Sequence, residues 1–352
     1  MRQIIFVCLI CIFSATSLAQ DAHFSQFFAS PTTLNPALTG LFAGRYRIAL
    51  SHRSQWGRSL PSPYSTSAFA ADFRQPLRVK RRGSDSFGAG VYFLNDRVAE
   101  LGLSNNQFMF SGAFHKALDA RGEQLLSVGG QLGVVARSLG YGELTFQDEF
   151  DGTTGFVPGS GGEILPENSV SFGDFQLGLN YSLLPRRQSI GVFGGLAVHH
   201  LTRPELSFYA EKTADDPVQV TNTLYRRYSA YLNLRIPLDQ ETQLSPRVYY
   251  LTQGPHTMVT AGSNLRLLLQ DASGTAVHLG AWLRLVDNFD GLGADSAIGL
   301  VGFEASNFLF GLSYDIGISG RRVSPRHRGA FELSVTYTGL SEDDQAVPCP
   351  KF

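Results

Sequence analysis

The sequence predicts an all-β protein: a transmembrane antiparallel up-and-down β-barrel of about fourteen strands, with a short plug or clasp segment ahead of the first. Three observations predict it. An export signal opens the chain. Behind it, short segments of alternating apolar and polar residues recur from about Tyr46 to Tyr337. Beyond the signal, no apolar stretch is long enough to cross a bilayer as a helix.

The signal sets the compartment. Arg2 gives a positive start, Ile4 to Phe13 is apolar, and Ser17-Leu18-Ala19 resembles a small-residue cleavage site. Residues 1–19 are therefore expected to be a signal peptide, with Gln20 first in the mature chain. Bulky Val7 and Ile10 precede Cys8 and Cys11, which disfavours a lipoprotein anchor at either. After cleavage only Cys349 remains, which excludes an intramolecular disulfide and a thiolate metal site. The formal net charge is -1 and the basic residues are spread along the chain, so no nucleic-acid footprint is present. The 37 Gly, 13 Tyr and 26 Phe suit curved strands and interfacial aromatic girdles.

Residues 20–44 form the segment before the first strand. Asn35 is a good helix N-cap, Pro36 suits the first helical position and Gly40 suits the C-terminal cap. The short capped turn between them is expected to be a fixed plug or periplasmic clasp. Phe24, Phe27 and Phe28 are too many aromatics for a disordered leader and should pack into the lumen mouth or against a partner.

The barrel is expected over 45–338. Its strands are placed near 45–52, 64–73, 87–95, 104–114, 125–138, 170–183, 190–200, 226–236, 243–251, 258–269, 276–286, 296–304, 308–316 and 329–338. The sixth shows the pattern clearly: Phe175, Leu177, Leu179, Tyr181 and Leu183 are apolar, and Asp174, Gln176, Asn180 and Ser182 between them are polar. In the eighth, Tyr228, Ala230, Leu232, Leu234 and Ile236 alternate with Ser229, Tyr231, Asn233 and Arg235. Successive strand side chains face opposite sides, so each strand has one lipid-facing and one lumenal face. Leu265, Leu267, Leu269, Val277, Leu279, Leu283, Phe308, Phe310 and Leu312 are assigned to lipid; Asn264, Arg266, Arg284, Asp315 and Glu332 are assigned to the lumen. Unpaired backbone groups in hydrocarbon cost several kcal/mol each, so the ladder must close.

With the first strand running outward, the longest connections, near 139–169 and 201–225, fall on the outside and most inner turns are short, as in outer-membrane barrels. The inner connection 74–86 carries Arg78, Lys80, Arg81 and Arg82, which fit a solvated basic turn better than a binding site. Asp148, Glu149 and Asp151 beside glycines in the 139–169 loop could bind Ca²⁺, but their spacing does not fit an EF-hand, and a flexible surface loop is favoured. Residues 339–352 are expected to be a periplasmic tail.

The search for chemistry is mostly negative. There is no nucleophile elbow, P-loop or zinc-protease motif. His199 and His200 are adjacent in a strand, so their side chains diverge and cannot easily share a metal. No catalytic residue, metal or cofactor is expected. Lumenal Arg235, Arg266 and Arg284 could attract an anion, but pairing with Asp315, Glu332 and Glu304 to fill the interior is preferred.

The run from Asp21 to Gly40 resembles the start of the PorP/SprF family of outer-membrane proteins of the Bacteroidota type IX secretion system. Ser51-His52-Arg53-Ser54-Gln55-Trp56, Pro63-Tyr64, Gly311-Leu312-Ser313-Tyr314-Asp315, Gly329-Ala330-Phe331-Glu332-Leu333-Ser334 and Cys349-Pro350-Lys351-Phe352 are also similar to that family, in the same order along the chain. The resemblance implies a non-enzymatic barrel in the cell outer membrane, surrounded by outer-membrane lipid. Its implied partners are type IX translocon components and secreted adhesin-type cargo with a C-terminal secretion domain. Family-like positions are His23, Phe24, Ser25, Gln26, Asn35, Pro36, Gly40, Arg53, Trp56, Asp315, Glu332 and Cys349. Those from His23 to Trp56, with Phe27, are the candidate plug or partner-binding residues. Phe146, Phe150, Phe156, Phe208 and Tyr209 in the outer loops are candidate cargo contacts. The Asn35-Pro36-Ala37 start is also similar to fatty-acid-type barrels, which leaves transport of a hydrophobic small molecule as the alternative.

Overall fold

The computed structural model describes residues 21–57, 62–77, 85–98, 102–141, 146–157, 167–185, 189–206, 208, 223–270, 274–288, 291–318 and 329–339. The expected signal peptide, the basic turn at Arg78, Lys80, Arg81 and Arg82, Tyr209 and the tail with Cys349 lie outside them.

Fourteen strands close into one antiparallel barrel. They are β1 (Tyr46–Gln55), β2 (Tyr64–Pro76), β3 (Ser86–Val98), β4 (Leu103–Ala117), β5 (Gln124–Leu139), β6 (Ser169–Leu183), β7 (Gly191–His199), β8 (Arg227–Pro237), β9 (Thr242–Gln253), β10 (His256–Gln270), β11 (Thr275–Asn288), β12 (Gly291–Ala305), β13 (Phe308–Gly317) and β14 (Gly329–Gly339). Each pairs with its sequence neighbours, and β14 returns to β1 with Glu332 opposite Arg53. This matches the expected architecture strand for strand.

Several connections are shorter than expected, two of them markedly. β9 and β10 are joined by Gly254 and Pro255 alone, and β12 begins at Gly291 rather than near 296. Glycines at 291 and 293 hide the start of β12, and a bulge hides its register. Arg284 pairs with Ser296 and Leu285 with Ala294, leaving Asp295 as the extra residue. Pro246 is the other irregularity. It pairs with Ser263 on β10, but the β8–β9 ladder skips Leu234 and Arg235 opposite it, because proline has no N–H to donate.

The two faces divide as the alternation requires. Leu269, Leu279, Leu283, Phe308, Phe310 and Leu312 project outward, while Asn264, Arg284, Asp315 and Glu332 are buried inside. Leu265, Leu267 and Val277 share the outward face, and Arg266 is half-buried within. In a bilayer the outward apolar band is solvated by lipid. The connections after β5 and β7, the two longest, leave from one end of the barrel, here the long-loop end. The opposite, short-turn end carries the tight connections after β4, β8, β10 and β12.

The chain from Asp21 to Gly44 lies inside the ring. It contains a 3-10 turn at Phe27–Ala29, the single-turn helix α1 (Pro31–Leu34) and a 3-10 turn at Pro36–Leu38. Gln26, Thr32, Asn35, Ala37 and Thr39 are fully buried.

Candidate functional site

The inner segment runs the length of the lumen. Asp21, at one end, meets His200, Arg227 and Gln253, all at the long-loop ends of their strands. Gly40, at the other, donates its N–H to Asp72 Oδ2 at 2.7 Å, close to the short-turn end. Backbone groups inside a barrel have no ladder to join, so those not paired within the segment's own turns need other partners. The lumenal polar residues supply these.

The densest contact involves Ser25 and Gln26. Their N–H groups donate to the two carboxylate oxygens of Glu332, each at 2.8 Å. Gln26 Nε2 donates to Ser313 Oγ (3.0 Å) and to the Glu332 carbonyl (3.1 Å), and its Oε1 accepts from Ser334 (2.7 Å). Ser25 Oγ bonds Asp315 at 2.7 Å and accepts from Arg284 at 2.6 Å and from Arg53. Arg53 pairs with Asp315 (2.9 Å) and Glu332 (3.1 Å), and Arg284 pairs with Asp315 (2.9 Å). Two cations thus face two anions in a buried, charge-balanced knot. Breaking one partner of such a network costs about 3–5 kcal/mol, because a buried charge is left uncompensated.

Lower down, Asn35 caps the second 3-10 turn through Ala37 N–H (2.8 Å). Its amide donates to the carbonyls of Leu179 (2.9 Å) and Leu196 (3.1 Å) on β6 and β7. The segment comes so close that a Cβ on Gly178 would collide with Asn35 Oδ1. Pro36 opens the turn, and Gly40 follows its cap at φ 74°, where glycine has no steric penalty. Arg47, on β1, pairs with Asp72 at 2.6 Å and also holds the Leu38 carbonyl.

Aromatic residues pack much of the space between the segment and the wall. Phe27 stacks on Tyr249 (4.9 Å between centroids) and meets Trp282 edge-on. Phe24 packs among Ala49, Ala68, Ala70, Tyr92, Leu94 and Met109. His23 is half-buried beside a small cavity lined by Phe24, Tyr92 and Tyr249.

One cluster was not expected. His200 adopts φ 57° just past β7, which aims Nε2 at Asp21 (2.5 Å) and Nδ1 at Asp174 (2.9 Å). Burial opposes its positive charge, but Asp21 and Asp174 outweigh it and raise the imidazole to about 9. Burial likewise opposes the Asp21 carboxylate, yet His200, Arg227 and Arg137 hold it well below the usual range. His199 points elsewhere, to Gln176 at 2.6 Å.

Other expected residues sit apart. Trp56, at φ 60°, packs on Tyr64 at the long-loop rim, away from the inner segment. Phe150 and Phe156 pair at 5.2 Å and are 55% and 50% exposed, while Phe146 and Phe208 are half-buried. The turn between Phe150 and Phe156 is shaped by Asp151, which accepts from the N–H groups of Thr153, Thr154 and Gly155 and from the Thr154 hydroxyl. The Thr154 hydroxyl and these N–H groups keep that carboxyl below its usual range. Arg266 pairs with Glu304 (3.0 Å), and Arg235 donates to the Pro185 carbonyl (2.9 Å) rather than to a carboxylate. Among the described residues no group of three or more His, Cys, Asp or Glu is placed to hold a metal.

Comparison with known proteins adds a family and a fold. A family model described as type IX secretion system membrane protein PorP/SprF matches residues 16–337. No curated protein matches. Solved structures with a similar barrel include a TodX monoaromatic hydrocarbon channel mutant, 11% identical, with TM-score 0.50 over 88% of this chain and 93% of that one. The Ralstonia pickettii toluene transporter TbuX is 10% identical, with TM-score 0.46 over 88% and 94%. A Pseudomonas aeruginosa FadL homologue is 10% identical, with TM-score 0.45 over 88% and 94%. At such identities the likeness is one of fold alone.

Proposed function

The chain belongs to the PorP/SprF family of type IX secretion system membrane proteins, and on that premise we propose that it supports secretion or surface anchoring of cargo proteins, without catalysis of its own. It is an outer-membrane barrel of that secretion system. The proposed cargo is an adhesin-type protein with a C-terminal secretion domain. Outer-membrane lipid surrounds the barrel, and translocon components are its further partners.

The observation that carries this reading is the segment held across the lumen. The inner segment is bonded along its length to the wall, from Asp21 to Gly40. A barrel closed in this way suits docking at its rim better than free diffusion through its centre. We therefore assign His23 to Gly40, with Arg53, to a plug that is held closed. The long-loop end offers the docking surface. There the exposed Phe150–Phe156 pair sits on a loop ordered by Asp151, and such aromatics supply contact area at low entropic cost. Transport of a hydrophobic small molecule would require the bonded segment to move first.

The test is affinity capture of the full chain from mildly solubilised outer membranes, followed by mass spectrometry. Co-recovery of a large surface protein with a C-terminal secretion domain, lost when the β5–β6 loop is deleted, is the expected result. Recovery of the barrel with no such cargo and no translocon component would overturn the reading. Cargo retained by the loop deletion would move the contact elsewhere on the rim.

A further inference from the structure

We propose that a cavity beside Arg247 is a binding site for a small organic anion with an apolar body, of the class of aromatic or short aliphatic carboxylates. The cavity lies between the inner segment and the barrel wall and has a volume of ≈ 140 Å³. An engineered apolar cavity of about 150 Å³ takes up benzene, so one ring or a chain of similar bulk fits. Its lining includes Phe28, Leu34, Leu38, Leu41 and Phe193. Ser306 and Asn307 of the β12–β13 turn also line it, so the cavity reaches the short-turn rim.

Three charged side chains line this apolar space, and two are already compensated. Arg47 pairs with Asp72 at 2.6 Å. Glu304 is held by Arg266 at 3.0 Å and His278 at 3.4 Å. Arg247 is different. It is buried, its guanidinium lies 4.3 Å over the Phe28 ring, and its Nε has no hydrogen-bond partner. Among the described residues no carboxylate lies within ion-pairing distance of it.

A ring face compensates a buried cation only in part. Leaving a guanidinium buried without an anion is costly, and its planar fork is shaped to receive a carboxylate. Cavities with apolar walls and one well-placed polar group are what small-molecule sites look like. The ligand's charge would meet Arg247, and its body would replace empty space against Phe28 and Leu38.

The experiment is ¹⁹F NMR titration of the detergent-purified full chain with 4-fluorobenzoate, and with 4-fluorobenzyl alcohol as its neutral analogue. Saturable binding of the carboxylate is expected, with the alcohol about tenfold weaker or worse. Arg247→Gln should weaken the carboxylate about tenfold, leave the alcohol nearly unchanged, and keep the heat-modifiable gel mobility of a folded barrel. Arg247→Lys should retain part of the carboxylate preference, which separates charge from packing. No saturable binding to the native chain, or equal affinities for carboxylate and alcohol, would overturn the proposal. So would carboxylate binding unchanged in a folded Arg247→Gln variant. If Arg247→Gln fails to fold, the carboxylate-to-alcohol ratio on the native chain and on Arg247→Lys decides.

Discussion

Asp21 is held by His200, a group whose charge changes within an accessible pH range. The folded imidazole stays protonated to about 9, whereas an unfolded histidine loses its proton near about 6.5. Its folded value is raised, so its stabilisation is complete below about 6.5 and is lost as pH rises through 9. Asp21 is shifted the other way. Its stabilisation is present above about 3.9 and lost only as pH falls further. The clasp is therefore strongest between these limits, and the loss on the alkaline side is on the order of 3 kcal/mol. Arg227 and Arg137 also act on Asp21, so part of the clasp survives deprotonation. The expected outcome concerns the gap in thermal unfolding midpoint between the native chain and His200→Asn in detergent. It should be widest at pH 5–6 and narrow steadily toward pH 9.5. A gap that is flat across that range would show that His200 is not a titrating cation. The sequence shows His199 and His200 only as adjacent residues whose side chains diverge. The partners of His200 lie 179 and 26 residues away, and its aim depends on one left-handed backbone position, none of which leaves a local signal.

At the scale of single elements, the strands were legible because lipid and lumen impose a two-residue period on every one of them. The pattern was lost most where side chains were missing, at Gly291 and Gly293, and where Asp295 doubled the count. The inner segment was legible in a different way. Asn35, Pro36 and Gly40 announced a capped turn from their backbone preferences alone, and the structure has that turn. That Ser25, Gln26, Arg53, Asp315 and Glu332 meet came from no pattern in the sequence, and only the family resemblance named them together. The fit between segment and wall is testable at Gly178. Replacing it with Ala puts a Cβ onto Asn35 Oδ1, which is itself fixed by the Ala37 N–H. Overpacking of this kind costs about 1–3 kcal/mol. Gly178→Ala should lower the unfolding midpoint and speed hydrogen exchange in residues 33–40. Gly299→Ala, whose Cβ would meet nothing within 4 Å, should do neither. Equal behaviour of the two variants would mean that the segment is not held tightly against β6.

For the whole molecule, the inner segment decides whether the barrel is a pore. Deleting residues 21–43 should leave strands that can still close, since every ladder bond lies in the wall. In planar bilayers the shortened chain should conduct ions in discrete steps, and the full chain far less. Similar conductance from both would mean that the segment does not block the lumen. The same segment also bears on how the ring closes. Ser25 and Gln26 reach Glu332 across 307 and 306 residues of chain, so these bonds cannot form until the final strand has been made. Contacts of such range form late. They are also selective. A β14 set one residue out of register would turn Glu332 toward lipid, stranding Arg53 and two backbone N–H groups without an acceptor. The first residues of the folded chain thus proofread the placement of the last strand, and a misaligned seam is penalised at the moment of closure.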